Sequence, residues 1–193
     1  MKKFELTNEF ITNMFGTKLF RIRALVEFGD VEAGELGGYV EKESNLGHDD
    51  NAWVYDNAWV YGDAQVSGDA LVYDNARVYG NARVYDNAWV YGNAQVSGDA
   101  RVCGDARVCG NGDYAYAHGF GSVNRTTTFF RLKDGGVGVR CGCFYGTLAQ
   151  FRDKIRETHG ETKKAQEYLM LADLMELRFE EDENEVGNRK YVE

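Results

Sequence analysis

The sequence contains no proline, so its turns must be built from glycine, asparagine and aspartate, which tolerate positive φ. Histidine is scarce: His48, His118 and His159 are the whole supply, which leaves little for acid–base or metal chemistry. Four cysteines (103, 109, 141 and 143) follow an N-terminus, Met1-Lys2-Lys3-Phe4-Glu5, without an apolar leader core. They read as reduced thiols of a cytoplasmic protein. No run of eighteen apolar residues occurs, so no helix is expected to span a membrane. Positive charge is also short, with 22 basic against 31 acidic residues and a net charge of −9. That balance argues against direct binding to a DNA backbone.

What the chain has is a repeat. From Asn51 to Asn111 one six-residue pattern recurs ten times, Ala-x-Val-Tyr/Ser/Cys-Gly/Asp-Asn/Asp, with alanine at 52 and every sixth position to 106. A fixed short period is the mark of a stacked solenoid. Alanine and valine lie two apart, so on an extended strand both face one way, while the residues between and after them face the other. Each hexad is therefore a short strand with a small-residue interior, followed by a corner.

The repeat resembles that of left-handed parallel β-helices, and the resemblance implies closure at three hexads per coil, so that ten hexads would make a little over three coils. Trp53, Leu71, Trp89 and Arg107 then fall in one outward column, beside Tyr55, Tyr73, Tyr91 and Cys109. Trp59, Arg77 and Gln95 share a second face with Tyr61, Tyr79 and Ser97. Gln65, Arg83 and Arg101 share a third with Ser67, Tyr85 and Cys103. Asn57, Asn75, Asn93 and Asn111 would stack at one corner as an amide ladder.

The flanks differ in texture. Lys3 to Ile11 and Thr17 to Phe28 read as two strands about Asn13-Met14-Phe15-Gly16, followed by the glycine-rich Gly29 to Val40. Val40, Leu46 and Ala52 are six apart, so the repeat phase is expected to start before the regular hexads. Beyond them, Gly112 and Tyr114 break the interior pattern. Thr126 to Leu132 and Val137 to Cys143 read as a hairpin about Asp134-Gly135. Thr147 to Gln150 opens a helix in the manner of a capping box, with Gly160 as its stop. A second helix is expected over Thr162 to Phe179, with Ala165, Tyr168, Leu169, Ala172 and Leu174 to Leu177 as its apolar residues. The acidic run Glu180 to Glu185 is expected to fray. The divisions are 1–45, an N-terminal β cap; 46–121, the repeat; and 122–193, a hairpin with two helices and an acidic tail.

Phe20 to Leu25, the Gly-Asp-x-x-x-Gly-x-Leu-Gly-Gly-Tyr-Val stretch from Gly29 to Val40, the Asn-Ala-x-Val-Tyr-Gly repeats, and Gly142 to Thr147 running on to Gly160 resemble hexapeptide-repeat proteins of phages and prophages. The resemblance spans nearly the whole chain. It implies a mainly β protein: a left-handed parallel β-helix of three hexads per coil, with an N-terminal β cap and a small C-terminal α+β module. It carries no settled activity. The repeat alone is similar to hexapeptide acyltransferases, which place a catalytic histidine at a subunit seam.

No histidine falls within the regular coils, so no catalytic residue is assigned. Cys141-x-Cys143 lacks the usual metal-ligand spacing, and alternation would put both thiols on one strand face; no metal and no cofactor are expected. Ser67 and Ser97 have no paired histidine. The outward Trp53, Tyr55, Trp59, Tyr61, Tyr73, Tyr79, Trp89 and Tyr91 are the candidate interface, either for other molecules or for stacking within the chain. Self-association as a trimer or dimer along the first face is the first expectation, and a host defence protein is the foreign partner that the phage resemblance suggests. The corner aspartates offer a third reading, mimicry of a nucleic-acid backbone. Arg77, Arg83, Arg101 and Arg107 are the anion-binding candidates, with an anionic nucleotide as ligand.

Overall fold

The computed structural model of the protein describes residues 2–121 and 123–180. Three longer strands come first: β1 (Phe4–Thr12), β2 (Lys18–Ala24) and β3 (Leu36–Val40). Two-residue strands follow at every hexad: β4 (Trp53–Val54), β5 (Trp59–Val60), β6 (Gln65–Val66), β7 (Leu71–Val72), β8 (Arg77–Val78), β9 (Arg83–Val84), β10 (Trp89–Val90), β11 (Gln95–Val96), β12 (Arg101–Val102) and β13 (Arg107–Val108). Then come β14 (Tyr114–Phe120), β15 (Arg125–Arg131), β16 (Val137–Cys141), β17 (Phe144–Thr147), α1 (Leu148–His159) and α2 (Lys163–Phe179).

The short strands stack as three parallel sheets. Face one is β4-β7-β10-β13, face two is β3-β5-β8-β11 and face three is β6-β9-β12. Register partners within the regular hexads are eighteen apart, as in Trp53↔Leu71, Trp59↔Arg77 and Gln65↔Arg83. With β3 and a Leu46↔Val66 bridge supplying an earlier rung, the solenoid has about four turns. The alanine and valine columns from Ala52 to Val108 form the inner wall, and each of these residues is buried. Small side chains of uniform size let the coils close without voids, which is what a packed interior requires.

The corners explain the aspartates. Asp56, Asp74 and Asp86 have φ of 50°, 58° and 57°, at positions where other hexads carry glycine. The Asp74 carboxylate accepts the Gly92 amide at 2.9 Å, and Asp86 accepts that of Gly104 at 3.3 Å. Each aspartate thus tolerates the left-handed turn and binds the next coil. These three carboxylates are turned along the stack, which is a structural role and not the display that mimicry would need. The expected asparagine ladder also differs. At Asn57 and Asn75 the bonds between coils are backbone ones, to Asp74 and Gly92. Side-chain bonds occur instead between Asn51 and Asp69 and between Asn81 and Asp99.

The phase of the first turn is shifted from expectation. Val40 pairs with Val60 and Leu46 with Val66, twenty apart rather than eighteen. Val40 and Leu46 therefore stand in the valine column, and the segment 47–51 carries two extra residues. The N-terminal segment holds that widened corner. His48 stacks on Phe4 at 4.5 Å and accepts the Lys3 amide.

Side chains finish the ladder at both ends, where unpaired backbone groups would be costly. At the first end the Lys3 ammonium donates to the carbonyls of Ala52 (2.8 Å) and Asp50 (3.2 Å), and the buried Asn45 amide donates to those of Gly62 and Ala64. Strand β2 pairs antiparallel with β3 and extends face two. At the far end Thr128 accepts the Arg101 amide, Asn111 accepts that of Gln95, and the Tyr114 hydroxyl donates to the Gln95 carbonyl. Tyr114 continues the valine column as a capping ring in the solenoid core, where the sequence pattern suggested decay.

The C-terminal module is a four-stranded antiparallel sheet, β14-β15-β16-β17, not a lone hairpin. Strand β15 is buried on both sides: Thr128 and Phe130 meet the solenoid, while Phe129 meets the helices. Helix α1 begins at a Thr147–Gln150 capping box and ends at Gly160, φ 56°. Helix α2 buries Ala165, Tyr168, Ala172, Met175 and Phe179, whereas Leu174 and Leu177 are exposed. Leu174, Met175 and Leu177 cannot all lie on one helical stripe, so Met175 is buried and the two leucines face outward. The acidic run beyond Glu180 lies outside the described residues.

Candidate functional site

The three solenoid faces present different chemistry. On face one, Trp53 occupies its expected column but is 0% exposed. Phe4, Phe28 and Tyr55 pack around it at 6.2, 5.3 and 6.5 Å between ring centroids. This corrects the reading of Trp53 as a surface anchor: the ring points out of the coil, yet the N-terminal segment lies over it. The glycine pair of Leu36-Gly37-Gly38-Tyr39 makes that possible. A Cβ on Gly37 would stand 2.5 Å from the Val54 carbonyl and 2.8 Å from the Trp53 ring.

Past the cap, face one opens. Tyr73 and Tyr91 stack at 5.0 Å with 7° between their planes, and Tyr73 meets the edge of Trp89. Trp89 is 36% exposed, and the Arg107 guanidinium lies 4.0 Å above its ring. Arg107 also donates to the carbonyls of Asn87 and Ala106. Its pKa is lowered, chiefly by burial. The Tyr73 hydroxyl is pushed up to about 12, first by burial and then by Tyr91 beside it.

Face two repeats the scheme. Arg77 lies 4.2 Å over Trp59, and Tyr61 stacks on Tyr79 at 5.1 Å. Burial, then Tyr79, raises the Tyr61 pKa. Both tryptophan–arginine pairs join adjacent rungs of one column, so the eighteen-residue offset creates them. Such contacts are worth about 0.5–1 kcal/mol at exposed sites.

Face three is polar. Arg83 and Arg101 are exposed, and Tyr85 is half-buried beneath Arg140 of β16, 5.9 Å from its guanidinium. The Tyr85 pKa is raised by burial and by its hydrogen bond to the buried Cys103. The four arginines expected to bind anions therefore divide. Arg77 and Arg107 cover tryptophans on separate faces, and Arg83 and Arg101 share face three. Arg140 went unnoticed in the sequence. Its signal was alternation: Val139 faces the helices, so Arg140 must face the solenoid.

The histidines are dispersed. His48 is at the first end, His118 bonds the Thr126 hydroxyl at 2.9 Å, and the His159 ring lies 6.0 Å from Tyr168. Cys141 contacts Thr127 and Tyr168, while Cys143 is exposed in the two-residue turn before β17. The two thiols therefore do not share a strand face. Among the described residues no three His, Cys, Asp or Glu side chains are grouped to hold a metal. A shallow depression beside α1 is lined by Phe144, Tyr145, Gln150, Asp153, Lys154 and Glu157. Two further apolar exposures escaped the sequence reading: Met14 and Phe15 at the β1–β2 turn, and Met170, Leu174 and Leu177 on α2.

Three parallel sheets wound on an eighteen-residue turn and closed by two unlike ends define a β-solenoid. Within the coils, residues 64–77, 76–92 and 94–110 match the family model described as YdcK Beta solenoid repeat. No curated protein matches the chain.

Proposed function

We propose that the chain is a non-catalytic interaction protein of the host-cell cytoplasm that self-associates along face one and engages a host protein. In its most specific form the partner belongs to a host defence system; that element rests on the phage resemblance alone. One observation carries the reading. After its contacts within the chain are made, Trp89 is still 36% exposed, in a flat sheet face with the half-buried Tyr55, Leu71, Tyr73 and Tyr91. Rigid tyrosine and tryptophan surfaces lose little entropy on docking and are favoured at interfaces. The face would close a dimer by meeting its own copy about a twofold axis, or a trimer by meeting a second patch about a threefold axis.

The test is the mass in solution, by light scattering on the eluting protein at micromolar concentration. A dimer or trimer is expected, falling to monomer in a Trp89→Ala, Tyr91→Ser double variant that still melts cooperatively. A monomeric unsubstituted chain would refute association through this face.

A further inference from the structure

Face three holds an arrangement that the aromatic faces do not explain. Arg83 and Arg101 are register partners on β9 and β12, so their side chains leave the sheet about 4.8 Å apart. Like charges directly opposite one another oppose folding. Neither side chain makes a hydrogen bond or ion pair among the described residues, whereas Arg152 is held by Asp173 and Glu176.

Arg140 approaches the same place from the C-terminal sheet. It lies over Tyr85, two residues beyond Arg83, and its buried Nε has no acceptor. The charges of Arg140 and Arg101 both reach Cys103, where each favours the thiolate against burial. The Asp86 carboxylate bears on both Tyr85 and Cys103, and it accepts the Gly104 amide.

We propose that Arg83, Arg101 and Arg140 form a binding site for a small phosphate-bearing anion on face three, beside Tyr85. A guanidinium presents a planar fork of donors that matches two phosphate oxygens. Two forks one rung apart grip one phosphate, and Arg140 reaches a second. A bound anion also removes the repulsion between Arg83 and Arg101. The site does not depend on association through face one.

Calorimetric titration of the full chain with inorganic pyrophosphate, and separately with ADP, tests it. Saturable binding of one pyrophosphate per chain is expected. Arg83→Gln and Arg101→Gln should each weaken it at least tenfold, while Arg77→Gln, on face two, leaves it unchanged. All three variants should still melt cooperatively: Arg83→Gln and Arg101→Gln at or slightly above the unsubstituted protein, since a like-charge pair is removed, and Arg77→Gln slightly below it, since the contact with Trp59 is lost. Equal affinity for ADP identifies phosphate as the recognised group; tighter ADP binding adds its ring to the contacts. Absence of saturable binding to either probe, or an Arg77→Gln loss as large as that of Arg83→Gln, overturns the proposal.

Discussion

At the residue scale, two buried side chains at the first end carry unusual energetic weight. The Trp53 indole fills the space between the first coil and the N-terminal strands, and its Nε1 has no hydrogen-bond partner. Trp53→Ala should cost about 3–5 kcal/mol in urea denaturation. Trp53→Phe should cost far less, because it keeps a ring in place and removes the unpaired donor. Lys3 is 3% exposed, and burial lowers its pKa from 10.5 to about 8 against the pull of Asp50, Asp49 and Asp69. Below pH 8 folded and unfolded chains both hold the proton, and the penalty of burying charge is complete. Between pH 8 and 10.5 only the unfolded chain holds it, so stability rises with pH. Above about pH 10 the sign reverses. Tyr73 and Tyr168, both raised to about 12, stay protonated only while folded. A urea midpoint that climbs above about pH 8 and then falls is expected, with the climb absent in Lys3→Met.

At the element scale, the hexad is the unit that tolerates change. Each rung touches only its neighbours, so stability is close to a sum of local terms. Excising residues 76–81 removes one whole hexad and keeps every alanine and valine facing inward, and it should leave a cooperative thermal transition. Deleting Val78 alone leaves one rung without its inward valine and out of step with its neighbours, and should lower the midpoint of that transition far more than the hexad excision does, as circular dichroism would show. Most of this was legible in the sequence: a period of six with two small residues fixes which side chains face inward, and the resemblance supplied the closure at three hexads per coil. The rungs, the columns, the hairpin turns and the Thr147 cap are all local signals. The widened first corner was not legible: Val40, Leu46 and Ala52 are six apart in sequence, yet the two-residue slip is set by how Phe4, Lys3 and His48 fill it. Strands β14 and β17 were missed for a similar reason. Their residues have weak alternation and are held by β15 and β16.

At the scale of the whole molecule, the burial of Trp53 and the approach of Arg140 to face three were hidden for one common reason. Both depend on which segment lies over which face, and that is decided by contacts between residues far apart in the chain. The same contacts keep the stack from growing. A chain ending at Gly110 would leave β11, β12 and β13 without Tyr114, Thr128 or the C-terminal sheet. Sedimentation should then show a broad distribution of large particles, since bare strand edges recruit one another. The placement of the three indoles has one more consequence. Trp53 is sealed beneath the first end, Trp59 lies under a guanidinium, and Trp89 is partly in water. Emission from the chain is therefore a built-in optical gauge. Its blue component reports whether the N-terminal strands are seated, and its red component reports whether anything has settled on face one.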